Sequence, residues 1–200
     1  MKVFTATRVN YSERMNDTDL SRLIADCIAG NEAAIEQLVR QHETGVFRLA
    51  LSIVGDAAEA NEITQETFIS ALRSLRSYEE RKSFKAWLYT ITLNYSRNLL
   101  RKRKILERLR SATSSLFRLE GQKRILPEEN VIQNEEDGTI WNGLNNLDER
   151  HRIVLVLRYF HEMSVAEIAE TLALPEGTVH SRLHTARERL RLALEPTRGD

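Results

Sequence analysis

The chain has 200 residues, of which 42% are hydrophobic and 29% charged, and its formal net charge is zero. This length and composition fit one large or two small folded domains. The single cysteine, Cys27, excludes an internal disulfide framework, and its apolar surroundings in "LIADCIAG" predict that it is buried. Because the N-terminus lacks a signal-peptide core and no later run could span a bilayer, we expect a cytoplasmic protein without membrane insertion.

Charge is unevenly distributed along the chain. Residues 1–79 carry 8 basic and 12 acidic side chains (−4), and residues 80–124 carry 13 basic and 3 acidic ones (+10). Residues 125–150 carry 1 basic and 7 acidic side chains (−6), and residues 151–200 carry 7 of each. The basic block indicates a polyanionic partner, although a solvated helix face would give the same count.

Helical spacing predicts a four-helix domain over residues 17–104. It follows an N-terminal extension, residues 1–16, that we expect to be disordered, and Met15 is an alternative start. Capping residues and breaks place the four predicted helices at 17–28, 31–54, 56–77 and from about 84 into "RKRK".

A second helical domain is predicted over residues 139–194. Residues 105–138 lose periodicity and contain "SATSS" and "LPEEN", which predicts a flexible linker, and residues 195–200 form a tail. The run "IVLVLRYF" fits a strand or a helix, but Asp148 and Glu149 suit a first helical turn. The predicted fold is therefore all-α, with two helical domains joined by a flexible linker.

Residues 164–194 have the pattern of a helix-turn-helix. Ser164 and Glu167 form a capping box that starts one helix, and Pro175 suits the first position of the next. That second helix has an apolar stripe at Val179, Leu183, Ala186, Leu190 and Leu194. Two short helices with a tight turn and one buried seam are typical of this motif.

The outer face of the second helix has small polar groups at its centre and cations at its edges. This arrangement fits a helix in a DNA major groove, although an amphipathic helix with a charged outer side would look alike. The predicted DNA contacts are Thr178, His180, Ser181, Arg182, His184, Thr185, Arg187 and Arg189. His180, His184 and Glu188 have a spacing that metal ligands also use, but without HExxH or a nearby Cys we expect no metal and no cofactor.

Two further faces point to partners. The third helix turns an acidic face outward, which indicates a docking surface or a plain solvated face; it comprises Glu59, Glu62, Gln65, Glu66, Ile69 and Arg73.

The fourth helix is expected to bury Phe84, Leu88, Ile91 and Tyr95 and to leave outward Tyr89, Leu93, Arg97 and Leu100, with Trp87 and Asn94 at the boundary. Aromatics among cations suit unpaired bases, whereas Trp87 and Tyr89 could instead complete the core.

Three stretches resemble the conserved regions two and four of extracytoplasmic-function (group four) sigma factors. They are "DAAEANEITQETFISAL", "FKAWLYTITLNYSRNLLRKRK" and "LDERHRIVLVLRYFHEMSVAEIAETLALPEGTVHSRLHTARERL". The likeness covers roughly residues 17–104 and 138–194, in the family's order and spacing. The sequence departs from the family at His180 and Thr185, where a basic residue is common.

The resemblance implies promoter-specific initiation by bacterial RNA polymerase, with no catalytic residues in this chain. The implied partners are the polymerase core (its beta-prime and beta subunits), promoter DNA and an anti-sigma factor. The implied polymerase contacts are Asp56, Glu59, Glu62, Gln65, Glu66 and Ile69. The implied minus-ten contacts are Tyr78, Arg81, Lys82, Lys85, Trp87, Tyr89, Asn94, Arg97, Asn98, Arg101 and Lys102. The helix-turn-helix would read the minus-thirty-five element, and the linker would pass near the active-site channel.

Two other classes of protein fit the sequence less well. A stand-alone helix-turn-helix regulator would need a ligand pocket or a dimer interface, and no further domain is left to supply either. An enzyme would need a catalytic motif, but the sequence has no P-loop, no glycine fingerprint and no Cys/His or carboxylate constellation.

Overall fold

A computed structural model of the chain describes residues 17–79, 83–114, 143–144 and 146–194. Its regular elements are helices, and no strand occurs within these ranges. The helices are α1 (Asp17–Ile28), α2 (Glu32–Val54), α3 (Ala57–Ser74), α4 (Phe84–Ser114), α5 (Glu149–Leu155), α6 (Val165–Leu172) and α7 (Glu176–Leu194). The predicted all-α fold is therefore confirmed.

Helix boundaries follow from short polar side chains that cap the first turns. Each of four N-cap residues accepts a hydrogen bond from a backbone N–H of the turn that it precedes, namely Asn31, Asp56, Asp148 and Ser164. Glu167 completes the predicted capping box at Ser164, because its carboxylate accepts from the Ser164 backbone N–H at 2.8 Å. Gly55 ends α2 with φ of 71°, a left-handed conformation that glycine adopts without steric cost.

Helices α1 to α4 pack around one apolar interior. The side chains with least exposure there include Leu38, Val46, Leu49, Leu88 and Leu93. Cys27 is buried against this interior as a free thiol, so the prediction that it packs as an apolar side chain is confirmed.

Helices α5 to α7 form a second group. A π-helical turn at Val156–Phe160 continues α5, so the run "IVLVLRYF" is helical, as predicted. Ile153, Leu157 and Ile168 are fully buried between these helices and the stripe of α7.

The fourth helix is longer than predicted. The sequence places the start of a linker at residue 105, but α4 continues to Ser114, so that expectation is wrong as far as Ser114. The physical reason is that residues 84–114 contain neither Gly nor Pro, and "KILERLR" is rich in good helix formers. The remainder of the predicted linker, the N-terminal extension 1–16 and the tail 195–200 lie outside the described residues.

The two groups of helices are in direct contact. Helix α4 packs against α6, and α2 packs against α5 and its π-helical turn. None of the helices in the described ranges is long and apolar enough to cross a membrane.

Candidate nucleic-acid interface

The predicted docking face on α3 is exposed to solvent over its central turns. Glu62, Gln65 and Glu66 are exposed, and the side chain of Ile69 beside them is 42% exposed. Ile69 is thus an exposed apolar side chain with carboxylates around it. Protein interfaces combine an apolar centre with a polar rim in the same way.

Two of the predicted docking residues also form hydrogen bonds within the protein. The carboxylate of Asp56 caps α3 by accepting from the Glu59 backbone N–H at 2.9 Å. Glu59 is only half-exposed, because Arg103 of α4 donates from Nε to its Oε1 at 3.0 Å. The same guanidinium donates from Nη1 to the Val54 carbonyl at 3.2 Å. Asp56 therefore caps α3, and Glu59 links α3 to α4 while it stays half-exposed.

An aromatic cluster lies where α4 begins. The ring centroid of Tyr78 is 5.3 Å from that of Phe84 and 5.4 Å from that of Trp87. The Phe84 and Trp87 rings are 5.5 Å apart, and His42 of α2 lies 5.2 Å from Phe84 on the inner side. Trp87 is half-buried, so its side chain packs in the cluster and is also partly exposed to solvent. The predicted contacts Arg81 and Lys82 fall outside the described residues.

Helix α4 buries a second stripe, which its sequence pattern predicts to be outward. Tyr89 is 4% exposed and Leu93 is 0% exposed, so their predicted outward orientation is wrong. The physical reason is that α4 is packed on two sides, against α2 and α3 on one and against the second group of helices on the other. A helical wheel that assumes one buried side assigns the other to solvent.

The three polar residues of this stripe are bound by the second group of helices. Lys85 donates from Nζ to the His161 carbonyl oxygen. The hydroxyl of Tyr89 lies 3.0 Å from Nδ1 of His161, and Arg97 lies 3.3 Å from Oε1 of Glu149. Lys85, Tyr89 and Arg97 are four and eight positions apart, which puts them on one side of α4.

A second line of contacts joins α4 to α6. Ser83 donates to Glu167 at 3.0 Å, and the Thr90 hydroxyl donates to the Thr171 carbonyl at 3.2 Å. Thr171 in turn donates to the Ala86 carbonyl at 3.5 Å. The sequence does not predict these contacts, since pairs separated by more than 75 positions leave no periodic signal.

Burial at this contact perturbs the ionisable side chains. Burial lowers the pKa of Lys85, and the nearby Glu167 and Glu162 carboxylates partly offset that effect. Burial, together with the positive charges of Lys85 and Arg48, lowers the pKa of His161 from 6.5 to about 3. His161 is therefore neutral at physiological pH, as a buried imidazole between cations must be.

The remaining predicted minus-ten contacts lie on a different side of α4 from this stripe. Asn94 and Asn98 are exposed, as are Arg101 and Lys102 in the next turns. Two amides and two cations on a solvent-facing surface can bind base edges and a phosphate backbone.

Helix α7 presents the predicted division between a buried stripe and a polar face. Val179, Leu183, Ala186 and Leu190 are buried, so the predicted seam is confirmed. His180, Ser181, His184, Arg187 and Arg189 are exposed, whereas Thr178, Arg182 and Thr185 are half-buried.

Two of the arginines predicted to contact DNA have partners within the protein. Arg187 donates from Nε to the Leu183 carbonyl at 3.2 Å, and Arg189 lies 3.0 Å from Oδ2 of Asp148. Within the described part of the chain, no group of three or more His, Cys, Asp or Glu side chains could hold a metal ion.

Comparison with protein-family models gives two matches. Residues 38–105 match Sigma-70 region 2, and residues 143–192 match Sigma-70, region 4. The first match covers most of α2, all of α3 and α4 as far as residue 105, and the second covers α5, α6 and all but the last two residues of α7.

Curated relatives and solved structures agree with these matches. The chain is 33% identical to ECF RNA polymerase sigma factor SigW of Bacillus subtilis, over 82% of this chain and 91% of the relative. It is 31% identical to RNA polymerase sigma factor CnrH of Cupriavidus metallidurans, over 90% of this chain and 97% of the relative. A structure of CnrH in complex with the cytosolic domain of CnrY superposes with a TM-score of 0.63 at 27% identity, covering 87% of this chain and 96% of that chain. The sigma factor RpoE of Bartonella quintana, in complex with the anti-sigma factor NepR, gives 0.62 at 25% identity, covering 82% and 98%.

Proposed function

The chain belongs to the sigma-70 family, in its extracytoplasmic-function group, and from this membership we propose how its surfaces share the work of promoter recognition. As a sigma factor, it directs RNA polymerase to promoters. The observation that supports the detailed proposal is the two-sided character of α7. Val179 and Leu183 are buried on one side of this helix, and Ser181 and His184 are exposed on the other.

Polymerase core docks on the exposed part of α3. Glu62, Gln65, Glu66 and Ile69 supply an acidic face with one apolar side chain. The beta-prime subunit is the proposed partner of this face, and the beta subunit contacts the chain elsewhere. Asp56 and Glu59 act indirectly, since the first caps α3 and the second holds Arg103.

The minus-ten element is bound and opened at the start of α4. Trp87 offers a half-exposed ring on which an unpaired base can stack. Exposed Asn94 and Asn98 reach base edges, while Arg101 and Lys102 follow the phosphate backbone.

The minus-thirty-five element is read by α7 in the major groove. Ser181 and His184 are placed at the base edges, where hydroxyl and imidazole groups can donate or accept hydrogen bonds. Arg182 and Arg187 lie towards the borders of the buried stripe, from which their long side chains reach phosphates. The predicted linker, less the residues that belong to α4, is proposed to pass near the active-site channel of the polymerase.

An anti-sigma factor is a further proposed partner. Both superposing structures are complexes, one with the cytosolic domain of CnrY and the other with the anti-sigma factor NepR. The chain acts with polymerase in the cytoplasm and contributes no catalytic residues or cofactor of its own.

Run-off transcription tests this function directly. Core polymerase from the source organism is mixed with the purified chain and with fragments of its genome. We expect transcripts from a small set of fragments that share two elements, and none from core polymerase alone. Tight, sequence-specific binding of duplex DNA by the chain without polymerase, and no transcription with it, would contradict this function.

A further inference from the structure

Arg189 of α7 is joined to the N-terminus of α5 by a single carboxylate. Its Nη1 donates to Oδ2 of Asp148 at 3.0 Å, between residues 41 positions apart. Asp148 also caps α5, because its Oδ1 accepts from the His151 backbone N–H at 3.2 Å. The same carboxylate therefore holds the first turn of α5 and a side chain in the second half of α7.

The buried side chain of His151 holds this carboxylate in place. His151 is only 6% exposed, and its Nδ1 lies 2.7 Å from Oδ1 of Asp148. Nη1 of Arg189 lies 3.2 Å from the same ring nitrogen. Arg150, an exposed residue of α5, lies 3.4 Å from Oδ2 of Asp148. Oδ1 is thus directed at α5 and His151, and Oδ2 is directed at the two arginines.

The backbone that precedes α5 also approaches α7 closely. A Cβ atom at Gly143 would lie 2.9 Å from Cδ1 of Leu190 and 3.2 Å from Cδ2 of Leu194. Leu190, the residue after Arg189, is buried in the stripe of α7. The second half of α7 therefore has apolar packing along its stripe and the ion pair with Asp148 at the border of that stripe.

Arg189 shares one edge of α7 with two residues that are predicted to contact DNA. Arg182 precedes it by seven positions and Thr185 by four, which places the three side chains on one side of the helix. Arg182 and Thr185 are half-buried at the border of the stripe, and Arg189 is exposed. Because a helix rotates as a unit, a contact that holds Arg189 also fixes the direction of Arg182 and Thr185.

We infer that Asp148 and Arg189 are a positioning pair for the minus-thirty-five element: Arg189 acts through the placement of α7 and not through a contact with DNA. The pair sets the rotation of α7 about its own axis, and thereby which side chains reach the base edges. Arg182 and Arg187 remain the residues that bind phosphates. The inference rests on the proposed function, because the role of α7 in reading DNA comes from there.

Substitution of the carboxylate distinguishes the two possible roles of Arg189. Asp148→Asn removes the charge but keeps a side chain that caps helices about as well as Asp does. If Arg189 positions α7, Asp148→Asn disturbs minus-thirty-five recognition, because the ion pair is lost. If Arg189 binds a phosphate instead, Asp148→Asn releases it to DNA, and recognition stays the same or becomes stronger.

Transcription from a template library randomised at the minus-thirty-five element measures this difference. The full chain is combined with core polymerase, and the variants are Asp148→Asn, Arg189→Ala and their combination. We expect each single variant to lower enrichment of the preferred sequences about two- to fivefold, the range that a partly exposed ion pair supports. Both should relax the same base-pair positions. The combined variant should lose no more than either single variant, because both substitutions remove one interaction.

Two control variants remove cations that do not join α7 to α5. Arg150→Ala removes the other cation beside Asp148, and Arg191→Ala removes a cation of α7 that lies 3.4 Å from Glu188 of the same helix. Both should keep the wild-type preference. The preference is a ratio among sequences that compete for the same holoenzyme, so a smaller folded fraction of a variant does not change it.

Two results would overturn the inference. The first is an unchanged preference in Asp148→Asn together with uniform weakening in Arg189→Ala, which would make Arg189 a phosphate contact. The second is a combined variant whose loss is the sum of the two single losses. A wild-type holoenzyme that prefers no sequence at this element would contradict the proposed function itself, and that result is evident before any variant is compared.

Discussion

The hydroxyl of Tyr89 lies 3.0 Å from Nδ1 of His161, in a buried contact between residues 72 positions apart. The same hydroxyl lies over Gly45 of α2, where a Cβ atom would be 2.5 Å from it. Tyr89 thus joins three helical segments, α2, α4 and the π-helical turn after α5. Gly45 is needed there because of this close approach.

Substitution of Gly45 by Ala is expected to destabilise the chain. The new methyl group overlaps the Tyr89 hydroxyl, and overpacking of this kind costs about 1–3 kcal/mol. In a Tyr89→Phe background the hydroxyl is absent and the next ring atom is 3.6 Å away, which is an ordinary contact. There Gly45→Ala should be neutral or stabilise α2 by about 0.5–1 kcal/mol. Urea unfolding of the four variants measures both effects; equal effects of Gly45→Ala in both backgrounds would show that Tyr89 is not the obstacle.

Acidification is expected to weaken the contact between α4 and the second group of helices, in which Tyr89 meets His161. The pKa of His161 is lowered from 6.5 to about 3 in this contact, by burial and by Lys85 and Arg48. Above pH 6.5 the imidazole is neutral whether the contact is closed or open, so the contact has its full stability there. Below that pH the open state binds a proton that the closed state excludes, and closure should weaken about tenfold per pH unit.

Fluorescence transfer between dyes on Thr44→Cys and Ala193→Cys, in a Cys27→Ser background, measures this opening. The charged groups around His161 are Lys85 and Arg48, and Glu162 and Glu167 lie near Lys85. His161→Gln should abolish the response between pH 7 and pH 5, a window set by the ordinary pKa of about 6.5 for His. His42→Gln is the control, because His42 stacks on Phe84 and also has a lowered pKa, about 4. A response that disappears with His42→Gln and persists with His161→Gln would contradict the assignment.

Much of this architecture can be predicted from the sequence. Helix starts are local features, because each depends on a cap within the first turn, at Asn31, Asp56 and Ser164. The buried stripe of α7 is also local, because it depends on the spacing of apolar residues over a few turns. The helix-turn-helix and the exposed part of the α3 face were predicted for the same reason.

The parts that the sequence did not predict depend on contacts between distant segments. The burial of Tyr89 and Leu93 results from the second group of helices, which packs on the side of α4 that a single-sided wheel leaves open. The pairing of Glu59 with Arg103 similarly depends on how α3 crosses α4. Neither relationship has a periodicity or a motif that marks it in the sequence.

Charge reversal on α3 should weaken polymerase binding without unfolding the chain. In Glu62→Lys/Glu66→Lys both substituted side chains remain in solvent, so the melting temperature should change little while core affinity falls. Glu43→Lys, at an exposed position of α2, is the matched control and should bind core polymerase normally. If both variants bind polymerase core equally in a pull-down, α3 is not part of the docking surface.

Replacement of Trp87 by Ala should impair strand opening more than holoenzyme assembly. Loss of a stacking ring costs about 1–3 kcal/mol per base, so permanganate reactivity of the promoter should fall. Phe84→Leu disturbs the same aromatic cluster from its buried side and controls for packing. An equal loss of reactivity in the two variants would mean that Trp87 acts only through the cluster.

Substitutions on α7 should separate base contacts from phosphate contacts. His184 is exposed opposite the buried stripe and Thr185 is half-buried beside it, so His184→Ala or Thr185→Ala should relax preference at one or two base pairs, at about 1–3 kcal/mol each. Arg187→Ala should weaken transcription from all sequences alike, because a phosphate contact carries no base information. A changed preference in Arg187→Ala, with only uniform weakening in Thr185→Ala, would mean that α7 is rotated differently in the groove.

The most direct test of the central claim is transcription from a template library randomised at the minus-thirty-five element. The wild-type chain with core polymerase is predicted to enrich a narrow set of sequences, and His184→Ala is predicted to broaden that set. No enrichment with the wild-type holoenzyme, or the same enrichment after α7 is altered, would contradict the account.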